Sequence, residues 1–444
     1  MTSTDLSFHP EAAKRFDERA NQILPTIECL KAIGDRQAPD LHPIGIIREE
    51  DILEPPRLIF ELDVKGGPAG VFWFSKGMRV GWVGSGFQPI KALIDSMAET
   101  KPLRERVSVR FVLETTCEWL SETLEGRQRQ PFSKFLALRA RGAIHSYEIW
   151  IPLFRTYSSK DFAIGDVSFR TFCREAIEEW WGRGAAKYRE DPVNLAALNQ
   201  KRSLLQAGLA ACISISAERR KAAEVARAMA QDATALLRFL SPANFDSRLV
   251  SYCAPDSGAV RVLREVFMSN RRIDTVSESA HDERMIDWYV DQSFERLPGV
   301  IESLHRLALR RSTRYQENLY DALLLYSRQA SATEISDKLI FALSALESML
   351  LRDSNEPIQK NLGERMAFLI GQSMQQRKDV VRNVDAVYKI RSAFVHHGHR
   401  SRHVHTVDRF LVNAWATFAK LLDLSMVYRT KDGLIGALED LKMS

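Results

Sequence analysis

The chain has 444 residues, of which 45% are hydrophobic and 27% charged, and a net charge of +5. That length suggests two or three domains with cores large enough to need no disulfide staples, and the composition excludes a fibrous or disordered chain. The five cysteines (Cys29, Cys117, Cys173, Cys212, Cys253) are scattered without C-x2-C spacing, against a disulfide framework or zinc ribbon and for a reducing compartment.

The first twenty residues have no apolar run of the kind a signal peptide needs. The longest weakly polar stretch, 204–217, contains Gln206, Ser214 and Ser216 and is too short to span a bilayer. The expectation is a cytoplasmic protein with no membrane partner.

Ile23, Ile27 and Leu30 predict a helical arm over residues 1–36. A Pro-containing stretch follows over 39–56, and then short β-rich runs at 58–64, 71–74 and 78–83. Gly66-Gly67 and Gly84-Ser85-Gly86 break these runs as turns between antiparallel strands do. Residues 88–99 and 107–124 read as helices, 147–153 and 163–169 as strands. Residues 37–170 are thus an α+β domain, read as a sensor or regulatory region for an unknown trigger.

From about residue 171 the chain turns helical. Ala222, Val225, Ala226, Met229, Leu236 and Leu240 fall at helical spacing, and Ser241-Pro242 ends that helix because proline cannot continue it. Residues 248–254 and 260–267 read as strands or an irregular insertion. Residues 171–282 form a helical connector with a small β insertion.

Residues 283–430 read as consecutive amphipathic helices. Ser331-Ala332-Thr333-Glu334 has the capping-box pattern, followed by Ile335, Leu339, Ala342, Leu343, Leu346 and Leu350 on one face. Pro357 starts the next helix, with Ile358, Leu362, Met366 and Leu369 as its stripe. A third helix covers 378–397, with Gly398 placed to end it. A last one carries Val404, Val407, Leu411, Ala414, Phe418 and Leu421. Short connections between such helices predict an antiparallel bundle. The fold class is mainly α, with an N-terminal α+β region and a C-terminal antiparallel helical bundle.

The chemistry concentrates in Tyr388-Lys389-Ile390-Arg391-Ser392-Ala393-Phe394-Val395-His396-His397-Gly398-His399. Five of the ten histidines lie between His396 and His405, and residues 377–409 hold eight Lys/Arg against three Asp. That surplus of five positive charges matches the net charge of the whole chain, and phosphate is the anion it suits. RNA brings its own nucleophile, the 2′-hydroxyl beside the scissile phosphate. Histidine can move that proton near neutral pH, and arginine offers phosphate a permanent charge and a planar fork of donors. Arg391 and His396 are therefore the candidate catalytic pair, the histidine as general base or acid, the arginine steadying the phosphoryl oxygens. Residues five apart on an ideal helix point roughly 140° away from each other. Either Gly398 frays the last turn and re-aims His396, or two copies of the chain share a site.

Arg391-x4-His396 at the end of a late helix resembles the signature of the HEPN superfamily. Leu346-Glu347-Ser348-Met349-Leu350 and Gly363-Glu364-Arg365-Met366-Ala367 lie upstream in the order of its Apea-like subgroup. The resemblance covers roughly residues 285–428. It implies a metal-independent endoribonuclease without a cofactor, acting as a homodimer through the C-terminal bundle, in a defence or toxin-like (abortive-infection) role. Ser392 stands where the superfamily often has Asn, Asp or His.

The surrounding residues have competing readings. Glu347 shares or borders an apolar face, where a carboxylate needs a partner; it either aims Arg391 or sits idle on the rim. Tyr388 lies close to the face of Arg391 and either stacks on a base or, more in keeping with its type, packs in the core. Lys389, His399, Arg400 and Arg402 are the expected RNA contacts and His397 a supporting group. Glu364 and Arg365 read as an ordinary solvated pair. His397, His399, His403 and His405 suit Zn²⁺ or Ni²⁺, but without cysteine and with few carboxylates nearby no metal is expected. The alternative function is a non-catalytic RNA- or protein-binding dimerisation module. Elsewhere, Gly81-x-x-Gly84-Ser85-Gly86 lacks the Lys-Ser/Thr of a P-loop and reads as a β-turn, and Trp180-Trp181 as core or interface.

Overall fold

The computed structural model describes residues 6–30, 59–62, 67–75, 78–206, 208–255, 263–269, 272–279, 286–297, 299–353, 356–397 and 403–443. The chain divides into two compact units, Met1–Tyr147 with Ser214–Val225, and Glu148–Ile213 with Ala226–Ser444.

The first unit runs α1 (Pro10–Ile23), β1 (Glu28–Leu30), β2 (Ile59–Leu62), β3 (Pro68–Ser75), β4 (Met78–Val83), α2 (Gln88–Ala98), α3 (Lys101–Arg104), α4 (Val109–Leu124) and α5 (Phe132–Ala143). Its antiparallel sheet has the order β1-β4-β3-β2. Phe16, Val71, Trp82, Ile90, Leu93, Val112, Leu120, Phe132 and Leu136 are buried together in its core.

The predicted arm is helical only as far as Ile23. Pro25 enters a 3₁₀ turn, and the chain continues as β1, with Leu30 opposite Arg79 on β4. Ladder bonds at the sheet edge there outweigh the helical spacing of Ile27 and Leu30. Gly84–Phe87 is not a turn between strands; it is a 3₁₀ turn carrying β4 into α2, with Gly84 at φ 54°. Gly81 belongs to β4, where an added Cβ would fall 2.1 Å from the Val71 carbonyl oxygen, so the close approach of β3 admits only glycine. The expected 107–124 helix begins at Val109, because the Ser108 hydroxyl caps it by accepting from the Phe111 N–H at 3.1 Å.

The chain enters the second unit within β5 (Ile144–Pro152) and continues through β6 (Thr156–Tyr157), β7 (Phe162–Ile164), β8 (Val167–Thr171), α6 (Arg174–Lys187), α7 (Pro192–Gln206) and the start of β9 (Leu209–Glu218). The rest of β9 and the first residues of α8 (Arg219–Arg238), Ser214–Val225, belong to the first unit, and α8 returns to the second at Ala226. A four-stranded sheet has the order β5-β9-β8-β7. Strand β9 lies where a helix is predicted: Leu209 to Ile213 are all buried, a short apolar run flanked by strands on both sides. The β insertion is an antiparallel hairpin of β10 (Leu263–Ser269) and β11 (Arg272–Ser279), whereas residues 248–254 form no strand. β12 (Trp288–Tyr289) pairs with β6 and leads into α9 (Val290–Arg296).

The bundle follows as α10 (Val300–Leu309), α11 (Arg314–Ser331), α12 (Ile335–Leu350), α13 (Ile358–Ile370), α14 (Met374–His397), α15 (Val404–Leu424) and α16 (Lys431–Met443). Leu319, Leu323, Leu339, Leu346, Leu362, Val384, Phe410 and Phe418 are fully or almost fully buried in it. The predicted capping box does not form. Ser331 is the last residue of α11, its hydroxyl donating to the Arg328 carbonyl at 3.1 Å, and Glu334 precedes α12 without a side-chain cap. Helix α14 starts a turn earlier than predicted, and α16 lies beyond the predicted end of the bundle. Two asparagines tie α14 to α15: Asn413 donates to Asn383 at 2.9 Å, and Asn383 to the Thr406 carbonyl at 2.9 Å. Lys338, wholly buried, donates to the carbonyls of Leu249 at 2.9 Å and Gln329 at 3.0 Å. Among the described residues no helix is long and apolar enough to cross a membrane.

Candidate active site

Helices α12 and α14 pack against each other, and their contact gathers three of the predicted residues. Tyr388 and Arg391 are three apart on α14 and so share a face, which meets Glu347 near the end of α12. The Tyr388 hydroxyl donates to Glu347 Oε1 at 2.6 Å, and Arg391 Nη1 donates to the same oxygen at 3.3 Å. The Arg391 guanidinium also lies 6.0 Å from the centre of the Tyr388 ring, at the outer reach of a cation–π contact. One carboxylate oxygen thus takes a neutral and a charged donor and fixes the guanidinium relative to the helix pair.

The cluster is covered but not sealed, since the side chains of Arg391 and Glu347 are 33% and 20% exposed. Burial, followed by the hydrogen bond to the Glu347 carboxylate, drives the Tyr388 phenol far above its ordinary range. The phenol therefore stays a proton donor to Glu347 throughout the range in which proteins work. Through one nitrogen the carboxylate orients the guanidinium, whose fork carries further N–H groups suited to phosphate oxygens.

Lys389 and Ser392 are exposed on α14, beside Arg391 in sequence. The helix continues through His396 and His397, so the turn that carries them is helical. Their side chains lie outside the described residues, as do His399, Arg400, Arg402 and Gly398 entirely. His403 and His405 are exposed at the start of α15. Among the described residues no group of three or more His, Cys, Asp or Glu is gathered as a metal site requires.

The expected solvated Glu364–Arg365 pair is not formed. Arg365 is 2% exposed and donates to Glu356 at 2.6 Å, to Glu439 at 2.7 Å and to the Leu350 carbonyl at 2.6 Å. Glu364 pairs instead with Lys442 at 2.8 Å. The signal available in sequence is that Arg365 follows Leu362 by three and adjoins Met366, on the buried stripe; its partner Glu439 lies in a helix the prediction omits. Neither a family model, nor a curated protein, nor a solved structure matches the chain.

Proposed function

We propose that the C-terminal bundle is a HEPN-type, metal-independent endoribonuclease with Arg391 and His396 as its catalytic groups. The carrying observation is the Glu347–Arg391–Tyr388 cluster: a guanidinium held by a carboxylate, still open to solvent, in a basic part of the chain that is also its richest in histidine. In the proposed reaction His396 takes the proton of the 2′-hydroxyl, and the freed oxygen attacks the adjacent phosphorus. Arg391 balances charge on the phosphoryl oxygens. The bond to the 5′-oxygen breaks, that oxygen takes a proton, and the products are a 2′,3′-cyclic phosphate and a 5′-hydroxyl. Because α14 stays helical through both, positions 391 and 396 of one chain lie roughly 140° apart around an ideal helix axis, which favours a site shared by two copies. RNA cleavage of this kind suits a restrained effector, whose N-terminal region would receive the trigger.

One observation favours a second reading, a non-catalytic binding module: Arg391 already has an internal carboxylate partner. Purified protein incubated with total RNA in EDTA separates the two. The nuclease reading expects fragments ending in a 2′,3′-cyclic phosphate and losses of about 100-fold or more in Arg391→Ala and His396→Ala. Full cleavage by both variants removes the assignment, and RNA bound but uncut by the wild-type chain favours the second reading.

A further inference from the structure

Helices α6 and α7 pack on each other as a hairpin, held by the buried side chains of Ile177 and Leu198. Gly184 lets them approach closely, since a Cβ there would meet Leu198 at 2.8 Å. Most other positions of α6, and of α7 among its described side chains, are exposed or half-exposed. Between them lies a cavity of about 400 Å³ lined by Trp180, Arg183, Lys187, Tyr188, Leu198 and Lys201.

The lining has a pronounced chemical bias. It combines two half-buried aromatic rings with three cations and, among the described residues, contains no carboxylate. The nearby acid Glu178 is engaged by Arg202 at 2.7 Å, and that guanidinium stacks on Trp181 at 4.4 Å. Trp181 is also fixed through Nε1 to Asn199 at 2.8 Å, whereas Trp180 lines the cleft. Arg183 and Lys187 stand one turn apart on α6, about 6 Å along the axis, and Lys201 joins them from α7.

We infer that this cleft binds single-stranded nucleic acid, taking one base against Trp180 and Tyr188 and its flanking phosphates on Arg183, Lys187 and Lys201. Half-buried aromatic faces beside cations, of which Arg183 also has the exposed Glu179 at 3.9 Å and Lys187 lies over the Tyr188 ring at 5.3 Å, match the two faces of an unpaired nucleotide, a flat π surface and a repeating anion. An acidic peptide would satisfy the cations and leave the rings idle. A duplex would offer phosphates but keep its bases stacked away from Trp180. That the natural strand is RNA rests on the ribonuclease reading above; binding to the cleft does not.

The test is fluorescence anisotropy of the full chain with a labelled oligothymidylate of about ten nucleotides, within the usual footprint of such sites. This probe has no 2′-hydroxyl, so it reports binding whether or not the protein cuts RNA, and cleavage of total RNA by the same variants tests only the earlier reading. Lys187→Glu with Lys201→Glu should weaken binding about tenfold or more and flatten its salt dependence by more than one unit of slope. Trp180→Ala should cost about tenfold, and Trp180→Phe should restore most of that. All of these positions lie on an exposed hairpin, and helical circular dichroism checks that it persists. Unchanged affinity in the double charge reversal overturns the proposal. So does unchanged affinity in Trp180→Ala, which marks a bare polyanion surface, or equally tight binding of a duplex of the same length.

Discussion

Arg365 and Glu439 stand 74 residues apart in the chain, and their side chains meet at 2.7 Å. Through Arg365 the α13 helix is bound to Glu356 in the segment before it and to α16 at the end of the bundle. Replacing Arg365 by Met would leave Glu439 to Arg352 and Glu356 to Asn361, each with one donor fewer, and take the buried donor from the Leu350 carbonyl. The expected loss is about 3 kcal/mol, the lower end for a broken buried pair, because both glutamates can partly hydrate. Urea unfolding followed by circular dichroism measures it, and a loss under about 1 kcal/mol contradicts the role given to Arg365.

The same cluster sets an acid limit. The Arg365 hydrogen bond is the main cause that holds the Glu356 carboxyl below its ordinary value of 4.5, so the folded form binds its proton more weakly than the unfolded form. The contribution of Glu356 to stability is therefore complete above about pH 4.5 and is lost as pH falls through the depressed folded value. Unfolding midpoints compared at pH 6 and at about pH 3.5 should fall more steeply in the native chain than in Glu356→Gln. Parallel slopes would leave the shift without consequence.

If the bundle is the proposed nuclease, Glu347 should act by positioning Arg391. In Glu347→Gln the guanidinium loses its charged anchor, and RNA cleavage should drop about 10–100-fold, mostly in kcat. Tyr388→Phe removes one donor to the carboxylate and should cost less than Glu347→Gln. If either variant raises KM alone, the cluster binds RNA and does not orient a reacting group.

A site built from two copies makes a complementation prediction. On the proposed reading Arg391→Ala and His396→Ala chains should each be inactive, while a mixed pair would hold one intact site. After mixing equal amounts and allowing exchange, about a quarter of wild-type cleavage should return. No recovery, with mixed pairs verified by mass, places both groups within a single chain.

Thiol chemistry reports on burial. Among the described cysteines Cys173 is exposed, while Cys117, Cys212 and Cys253 are buried. Burial pushes the Cys253 thiol up to about 11 and that of Cys117 further still, so neither supplies thiolate at pH 8. Iodoacetamide should alkylate Cys173 first and reach Cys117 and Cys253 only on unfolding. Equal labelling rates by peptide mass mapping would refute the packing of both.

Periodicity made α12, α13 and α15 legible, because most of the apolar residues of each fall on one buried stripe, Ile358 and Val412 being the exposed exceptions. Glu347 was conspicuous for the same reason, as a carboxylate bordering that stripe. What the sequence hid was decided by partners far along the chain. Strand β9 has no local mark that separates it from a buried helix, since its pairing with β8 reaches from Leu209 back to Thr171. Leu30 followed helical spacing until the edge of β4 took it as a strand. Ser331 had the pattern of a cap, but α11 extended through it, and Arg365 looked solvated because its carboxylates lie outside its own helix.

The dependence of Arg365 on α16 also orders events during synthesis. On the ribosome α11 to α15 emerge with their apolar stripes complete, while the guanidinium inside α13 still lacks the Glu439 carboxylate. Glu356 can meet that charge as soon as α13 has formed, but the second carboxylate joins only when residues 431–443 have cleared the exit tunnel, so the polar anchoring of α13 is completed by the last helix to be made.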